Sequence, residues 1–294
     1  MLRSVSRLTR FRCQARIAPC GFKRCSQRRP LSFAANVKAA DFALGPKQAT
    51  GRFIAWNKSL RTAPSIDVSA IKSTSASFLP FFAFDVEVGG VVAEIQATST
   101  HTTMQWNAQS RSYQPVVQTR THDLGTVQLS DHLYSFRNDP ECLVYASYKH
   151  PRSLVQEGVV PKYSRGLPLQ PWSADLLRAR SGDGWATLEH DIEIDPFTMK
   201  KETGWAMLDD RVRAKEMERA KAWARARYPQ FETFRARVTF GYRRHRLTLC
   251  YLPAFELQYK YWTEHQAFVS GVDGSVGAER QYSIGARASA IVWL

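Results

Sequence analysis

Two stretches, FLPFFAFDVEV (Phe78–Val88) and YLPAFELQYKY (Tyr251–Tyr261), constrain this chain more than any other feature. Each starts at Leu-Pro and then alternates apolar and polar positions. Phe82, Phe84, Val86 and Val88 share one face of the first, with Ala83, Asp85 and Glu87 opposite; Phe255, Leu257, Tyr259 and Tyr261 repeat the pattern in the second. A period of two specifies a strand. Proline lacks the ladder donor, so it suits a strand's first residue or an edge. The match of Leu79-Pro80 with Leu252-Pro253 reads either as one sheet-forming device used twice or as two ordinary amphipathic strands that each start with Leu-Pro.

The surrounding residues predict hairpins. Residues 78–98 are expected to fold back at Gly89-Gly90, because glycine supplies the positive φ of a tight turn. Residues 231–250 are expected to fold back over Gly241–Arg246 (GYRRHR). Further strands are expected at 113–121 and 141–148. Residues 129–137 (LSDHLYSFR) predict a short helix started by Ser130. A second short helix is capped by Ser173 and ended by Gly182 or Gly184. The longest spans 205–228, with Met217, Ala220, Ala224 and Tyr228 on one face and Pro229 as its stop. The fold class expected is α+β: antiparallel sheets from hairpins at both ends, with helices between. The boundaries expected are a linker at 36–75, a globular region at 76–286 and a tail at 287–294. Within the globular region, 76–150 and 230–286 form two similar sheet modules around a helical middle, 151–229.

Charge divides unevenly. The chain of 294 residues has a net charge of +15, but residues 1–30 hold nine basic residues and no acid, which leaves +6 for the rest. An Arg- and Ser-rich segment that lacks acids, with Leu2, Val5, Leu8 and Phe11 along one side, has the composition of a mitochondrial transit peptide. Residues 1–35 are therefore expected to direct the chain to the mitochondrion, to the matrix or the matrix side of the inner membrane. Beyond that segment only Cys142 and Cys250 remain, which form neither a disulfide framework nor a zinc site. The most apolar run is broken by Asp85, Glu87 and Glu94, and ASAIVWL at the end is far shorter than the ~20 residues a membrane helix needs. No transmembrane segment is expected.

Candidate chemistry is sparse. Asp191, Glu193 and Asp195 alternate with Ile192 and Ile194, placing three carboxylates on one strand face as oxygen ligands for a hard cation. A half-exposed strand gives the same pattern without an ion, and that reading is preferred. The seven histidines are scattered, with no metalloprotease spacing. Tyr242 with Arg243, Arg244 and Arg246 mixes an aromatic with cations and is a candidate surface for an anionic partner, RNA included. If Arg211 and Arg219 joined that surface, an RNA-binding face would result. Neither Gly89-Gly90 nor Gly182–Gly184 has phosphate-loop spacing. No catalytic residue and no cofactor is assigned.

The segment from Leu252-Pro253 through Tyr259, Tyr261, Val269, Gly271, Asp273-Gly274, Val276-Gly277 and Glu279-Arg280 resembles a hairpin module that closes the chains of a family of uncharacterised proteins. Its turn logic is similar to that of small PepSY-type hairpins. The resemblance is strong over roughly thirty residues and weaker around Pro80–Phe84. This chain departs from the pattern in having no zinc-ribbon cysteines, and Gln281 stands where the module has proline. The resemblance implies no activity. It implies structural turn roles for Gly271, Asp273 and Gly274, alongside Gly89 and Gly90 in the first copy.

These observations favour a non-enzymatic mitochondrial accessory or assembly protein acting through protein–protein contacts. An RNA- or ribosome-associated protein and an unrecognised enzyme or ligand-binding protein are the alternatives. A large exposed apolar patch would favour the first, a continuous arginine face the second, and a cleft with converging His and carboxylates the third.

Overall fold

Two long strands carry the architecture. In a computed structural model, residues 37–60, 66–161, 167–177, 185–188 and 191–279 are described. The elements in chain order are β1 (Val37–Ala39), α1 (Pro46–Ser59), β2 (Ile71–Asn107), β3 (Ser112–Leu129), β4 (His132–Ser135) and β5 (Leu143–Tyr145). They continue with α2 (Arg152–Val159), β6 (Gln170–Pro171), β7 (Glu193–Ile194), α3 (Lys201–Arg227), β8 (Thr233–Tyr261), β9 (Thr263–Ser270) and β10 (Val276–Ala278). β2 has 37 residues and β8 has 29, against the usual three to ten or so. They pair antiparallel with each other from Ile71↔Tyr259 to Thr98↔Thr233, and the remaining strands attach to them in one mixed, mostly antiparallel sheet. The class is α+β.

The two Leu-Pro stretches lie side by side, with Leu79 opposite Leu252. Their surroundings match role by role. A short parallel strand ends just before each proline: β7 on Ser77–Phe78 and β1 on Leu249–Tyr251. Its following amide donates to the carbonyl one residue before the leucine, Asp195 to Phe78 and Ala40 to Tyr251, each at 3.0 Å. An antiparallel strand starts just after: β5 on Phe81–Ala83 and β9 from Ala254. The proline carbonyls take the bridging amides, Ala146 to Pro80 at 2.9 Å and Gly271 to Pro253 at 2.8 Å. Each proline thus stands where the neighbouring strand changes, the place where a missing N–H leaves no ladder acceptor stranded. Further along, β4 pairs Asp85–Val88 as β9 pairs Gln258–Tyr261.

Both expected internal turns are absent. The chain runs straight through Gly89-Gly90 and through residues 241–246; Gly89 pairs with Gly241, and the register slips at this point as a bulge. Gly90 has φ 62°, and a Cβ on Gly89 would lie 2.8 Å from Cδ of Arg243. The positive φ makes Gly90 the required glycine, for a bulge and not for a turn. Long-range pairing overrides the local turn preference because continuing lets Ala93, Ile95 and Ala97 be buried with Phe234 beneath Ala220 and Ala224 of α3. The hairpin that does form is β2–β3, turning at 108–111.

Other expectations shift for similar reasons. Residues 129–137 hold β4 in place of a helix, since Tyr134 pairs opposite Val86. The stretch 36–75 holds β1, α1 and the start of β2, because Phe53 of α1 is buried against Tyr259 at 4.9 Å between ring centroids. The long helix is found at Lys201–Arg227, and its buried residues Gly204, Leu208, Val212, Glu216, Ala220 and Ala224 recur every four positions. Ser173 caps a single turn, accepting the Asp175 amide at 3.2 Å. The segment 1–35, Gly182, Gly184 and the tail 287–294 lie outside the described residues.

The C-terminal hairpins have the expected form. β8 and β9 meet around Trp262, at φ 62°, and β9 and β10 around Gly271–Ser275. Gly274 has φ 74°, and the Asp273 carboxylate accepts the Ser275 amide at 3.0 Å and its hydroxyl at 2.8 Å. Gly277 has a different use. It meets Gly158 of α2 backbone to backbone, and a Cβ there would lie 2.8 Å from the Gly158 Cα. That close approach seats α2 on the β9–β10 hairpin.

Candidate functional site

Beyond the Thr98↔Thr233 pair β8 no longer accompanies β2, and β2 and β3 continue alone as a two-stranded arm. The nine residues Ser99–Asn107 at ~3.3 Å each carry it about 30 Å past the sheet. Register places Thr102 opposite Val117, Met104 opposite Pro115 and Trp106 opposite Tyr113. All point to the side away from α3, because Ala93, Ile95 and Ala97 take the α3 side. Trp106 and Tyr113 touch edge to face, 5.3 Å between centroids. Met104, Trp106, Tyr113 and Val117 are nonetheless 62, 54, 64 and 64% exposed. Val92 and Leu133 lie on the same side nearer the root. Six of the nine large hydrophobics exposed among the described residues therefore share one side of one ribbon. Scattered exposed apolar residues are ordinary, but a concentration of this kind marks a contact surface.

The opposite side of the arm is mostly polar, with Ser99, His101, Thr103, Gln105, Gln114, Gln118 and Arg120 beside Val116. Its turn is tied down: Asn107 accepts the Gln109 amide at 2.9 Å and donates to Gln114 at 3.0 Å. No Asp or Glu occurs between Ile95 and His122, while Arg111 and Arg120 do.

The other end of the sheet holds a buried polar cluster. The Tyr145 hydroxyl donates to Oδ2 of Asp195 at 2.7 Å, and Asp195 is 1% exposed. Burial, reinforced by that carboxylate, pushes the Tyr145 hydroxyl well above its ordinary pKa. His150 packs on Phe268 at 5.0 Å, and its Nε2 lies 4.0 Å from Oε2 of Glu256. Gln266 donates to the other Glu256 oxygen at 2.5 Å. Desolvation lowers the pKa of His150 in spite of Glu256. Ser77 Oγ, His150 Nε2 and Asp195 Oδ1 are buried without a protein partner.

A groove of about 770 Å³ runs between α3, β4 and the turn Pro140–Cys142. Its charges satisfy one another. Lys215 binds Asp139 and lies 3.0 Å from Glu141, and Arg211 donates to the Glu141 carbonyl at 2.7 Å. Arg219 pairs with buried Glu216 at 2.7 Å, and Tyr134 donates to the same Glu216 at 2.6 Å. Little net charge remains to attract an ion.

The sequence-predicted residues do not assemble. Arg243, Arg244 and Arg246 lie in strand β8. Arg243 pairs with Asp131, Arg244 lies 3.9 Å from Glu87, and Arg246 stands opposite Asp85. Arg211 and Arg219 are engaged on the α3 side, so the five arginines form no common face. Of the acidic trio, exposed Glu193 pairs with Lys149 at 2.7 Å, Asp195 is buried against Tyr145, and Asp191 stays exposed. Among the described residues no group of three His, Cys, Asp or Glu is placed to hold a metal ion. Cys142 and Cys250 are buried free thiols, each pushed up to about 12 by desolvation. No described helix is long and apolar enough to cross a membrane.

Sequence reading missed the arm, although an acid-free run with alternating Met104 and Trp106 was its signal. It also missed Tyr145, His150 and Asp195 as a cluster, for which sequence offered no signal because three separate loops and strands bring them together. No protein-family model matches this chain, and no curated protein or solved structure matches it either.

Proposed function

We propose that this chain is a non-enzymatic mitochondrial accessory or assembly protein that works through protein–protein contacts, and that the β2–β3 arm makes them. The carrying observation is the single-sided concentration of exposed Met104, Trp106, Tyr113 and Val117 on an arm that no other described residues cover. Each such side chain, buried in a complex, contributes roughly 1.5–3 kcal/mol. The acid-free, arginine-rich first thirty residues support the mitochondrial assignment. An RNA-associated role finds less support: the arm offers two arginines, and each phosphate contact calls for about one cation.

The test is photocrosslinking in isolated mitochondria from a benzoylphenylalanine placed at Trp106, with and without nuclease. The expected result is a discrete protein adduct that survives nuclease and is lost when the photoreactive group is moved to Glu202, far from the arm. Adducts that vanish with nuclease would replace this reading with the RNA-associated one. A chain that remains outside mitochondria, whether or not residues 1–35 are present, would remove the targeting half.

A further inference from the structure

The arm exposes backbone as well as side chains. Among the described residues β3 pairs with β2 alone over its whole length, so its outer edge offers a row of N–H and C=O groups that none of them pairs. Proteins normally blunt such an edge with charge, proline, a bulge or extreme shortness. This molecule does so at its other edges. β6 has two residues, one of them Pro171, and β10 has three. The free edge of β8, before β1 joins at Leu249, carries Arg235, Arg237, Arg243, Arg244 and Arg246. The outer edge of β3 is treated differently. Its one proline, Pro115, lies near the tip, and from Val116 to His122 there is no proline, no glycine and one charge, Arg120. Four of these seven residues are Val or Thr, the β-branched types that favour strands. Such a run, left bare beside a stripe of exposed apolar side chains, is the signature of an edge that pairs.

We propose that the outer edge of β3, from Ser112 to Asp123, receives an extended segment of a partner protein, which joins the sheet as an added strand. This rests on the protein-contact reading and names the partner's chemistry. The unpaired ladder groups specify an extended backbone. Tyr113, Pro115 and Val117, alternating on one side, call for apolar residues at alternate positions of the incoming segment. Arg120, the tip Arg111 and the absence of any acid between Ile95 and His122 call for carboxylates at the intervening positions. A second copy of this chain supplies only one carboxylate from the equivalent edge, Asp123 at its end, which already accepts the Gly125 amide.

The experiment uses the full chain and end-blocked nonapeptides that alternate Val or Ile with Thr or Glu, together with the same compositions carrying a central proline. Binding is read by fluorescence anisotropy, and its location by amide hydrogen exchange. The Glu-containing peptide is expected to bind and to protect amides within 112–123 alone. The proline version is expected to bind about tenfold more weakly, because it lacks a ladder donor. Val117→Lys/Thr119→Lys changes two exposed positions and is expected to weaken binding by about the same factor, with the circular dichroism spectrum unchanged. Equal binding of the straight and proline peptides would overturn the proposal in favour of side-chain adhesion. Protection along the β8 edge, tighter binding of oligouridine than of the peptide, or concentration-dependent dimerisation that already protects 112–123 would also overturn it. The two readings fail separately. A Trp106 adduct without peptide pairing keeps the protein-contact function and removes strand addition; peptide pairing without an adduct does the reverse.

Discussion

At Leu79 and Leu252 the β2–β8 ribbon is buried completely, whereas at Trp106 and Tyr113, in the same strand β2 and its hairpin partner, it is covered on neither side. The middle, around Ile95, lies between: α3 covers one side and solvent wets the other. All three regions show apolar residues in strand alternation. Alternation therefore fixes which way a side chain points, and the neighbouring elements fix whether it is buried. At the buried end those neighbours are β5, β7, β1 and β9, set around the two prolines. At the far end no such neighbours occur among the described residues, which is why the arm reads as half of an interface.

The largest test of the contrast is at the buried end. Gly277→Val forces a branched side chain into the backbone contact with Gly158 and the Leu154 carbonyl, where no flexible group is available to yield. A loss of about 4 kcal/mol or more is expected, enough to leave most of the chain unfolded. Soluble yield and urea unfolding read it. A variant with wild-type stability would show that α2 is seated by something other than the glycine pair.

A smaller contrast separates the middle from the arm. Ile95→Ala removes a fully buried side chain beneath α3 and is expected to cost about 2–4 kcal/mol. Val117→Ala, on the same ribbon, is expected to change stability by less than ~0.5 kcal/mol, since its side chain is 64% exposed. Urea midpoints measured side by side check both. Equal losses would mean that the arm is covered in solution.

Much of the architecture could be read from period-two patterns. The Leu-Pro strands, the C-terminal turns at Gly271–Gly274 and the long helix all show in local residue patterns, although the partners that bury the Leu-Pro strands come from distant segments. The errors share one cause. Gly89-Gly90 and Gly241 look like turns in isolation, and only the pairing of two segments about 150 residues apart makes them a bulge. Residues 129–137 look helical until Tyr134 has β2 beside it and Glu216 beneath it. Glu216 itself breaks the apolar face of α3, so its complete burial becomes legible only with Tyr134 and Arg219 in place. The arginines and carboxylates were visible as residue types, but their partners come from distant segments and leave them engaged apart.

The last expected effect concerns pH and the two thiols of the buried end. Cys142 and Cys250 are held up at about 12 from an ordinary 9.0 by desolvation. The fold thus favours the protonated thiols. Their contribution is complete below pH 9, where folded and unfolded chains are both protonated, and is lost as pH rises from 9 toward 12. Between pH 8 and pH 10 each thiol is expected to remove on the order of 1 kcal/mol of stability. Cys142→Ala/Cys250→Ala lowers stability at pH 8 through the small cavities it leaves, but its urea midpoint should fall less between the two pH values. Val117→Ala should keep the wild-type slope, because the arm from Ile95 to His122 holds no thiol. A wild-type midpoint that does not move between pH 8 and 10 would mean that both thiols reach water, and that the end of the ribbon around Phe81 and Leu143 opens as readily as the arm.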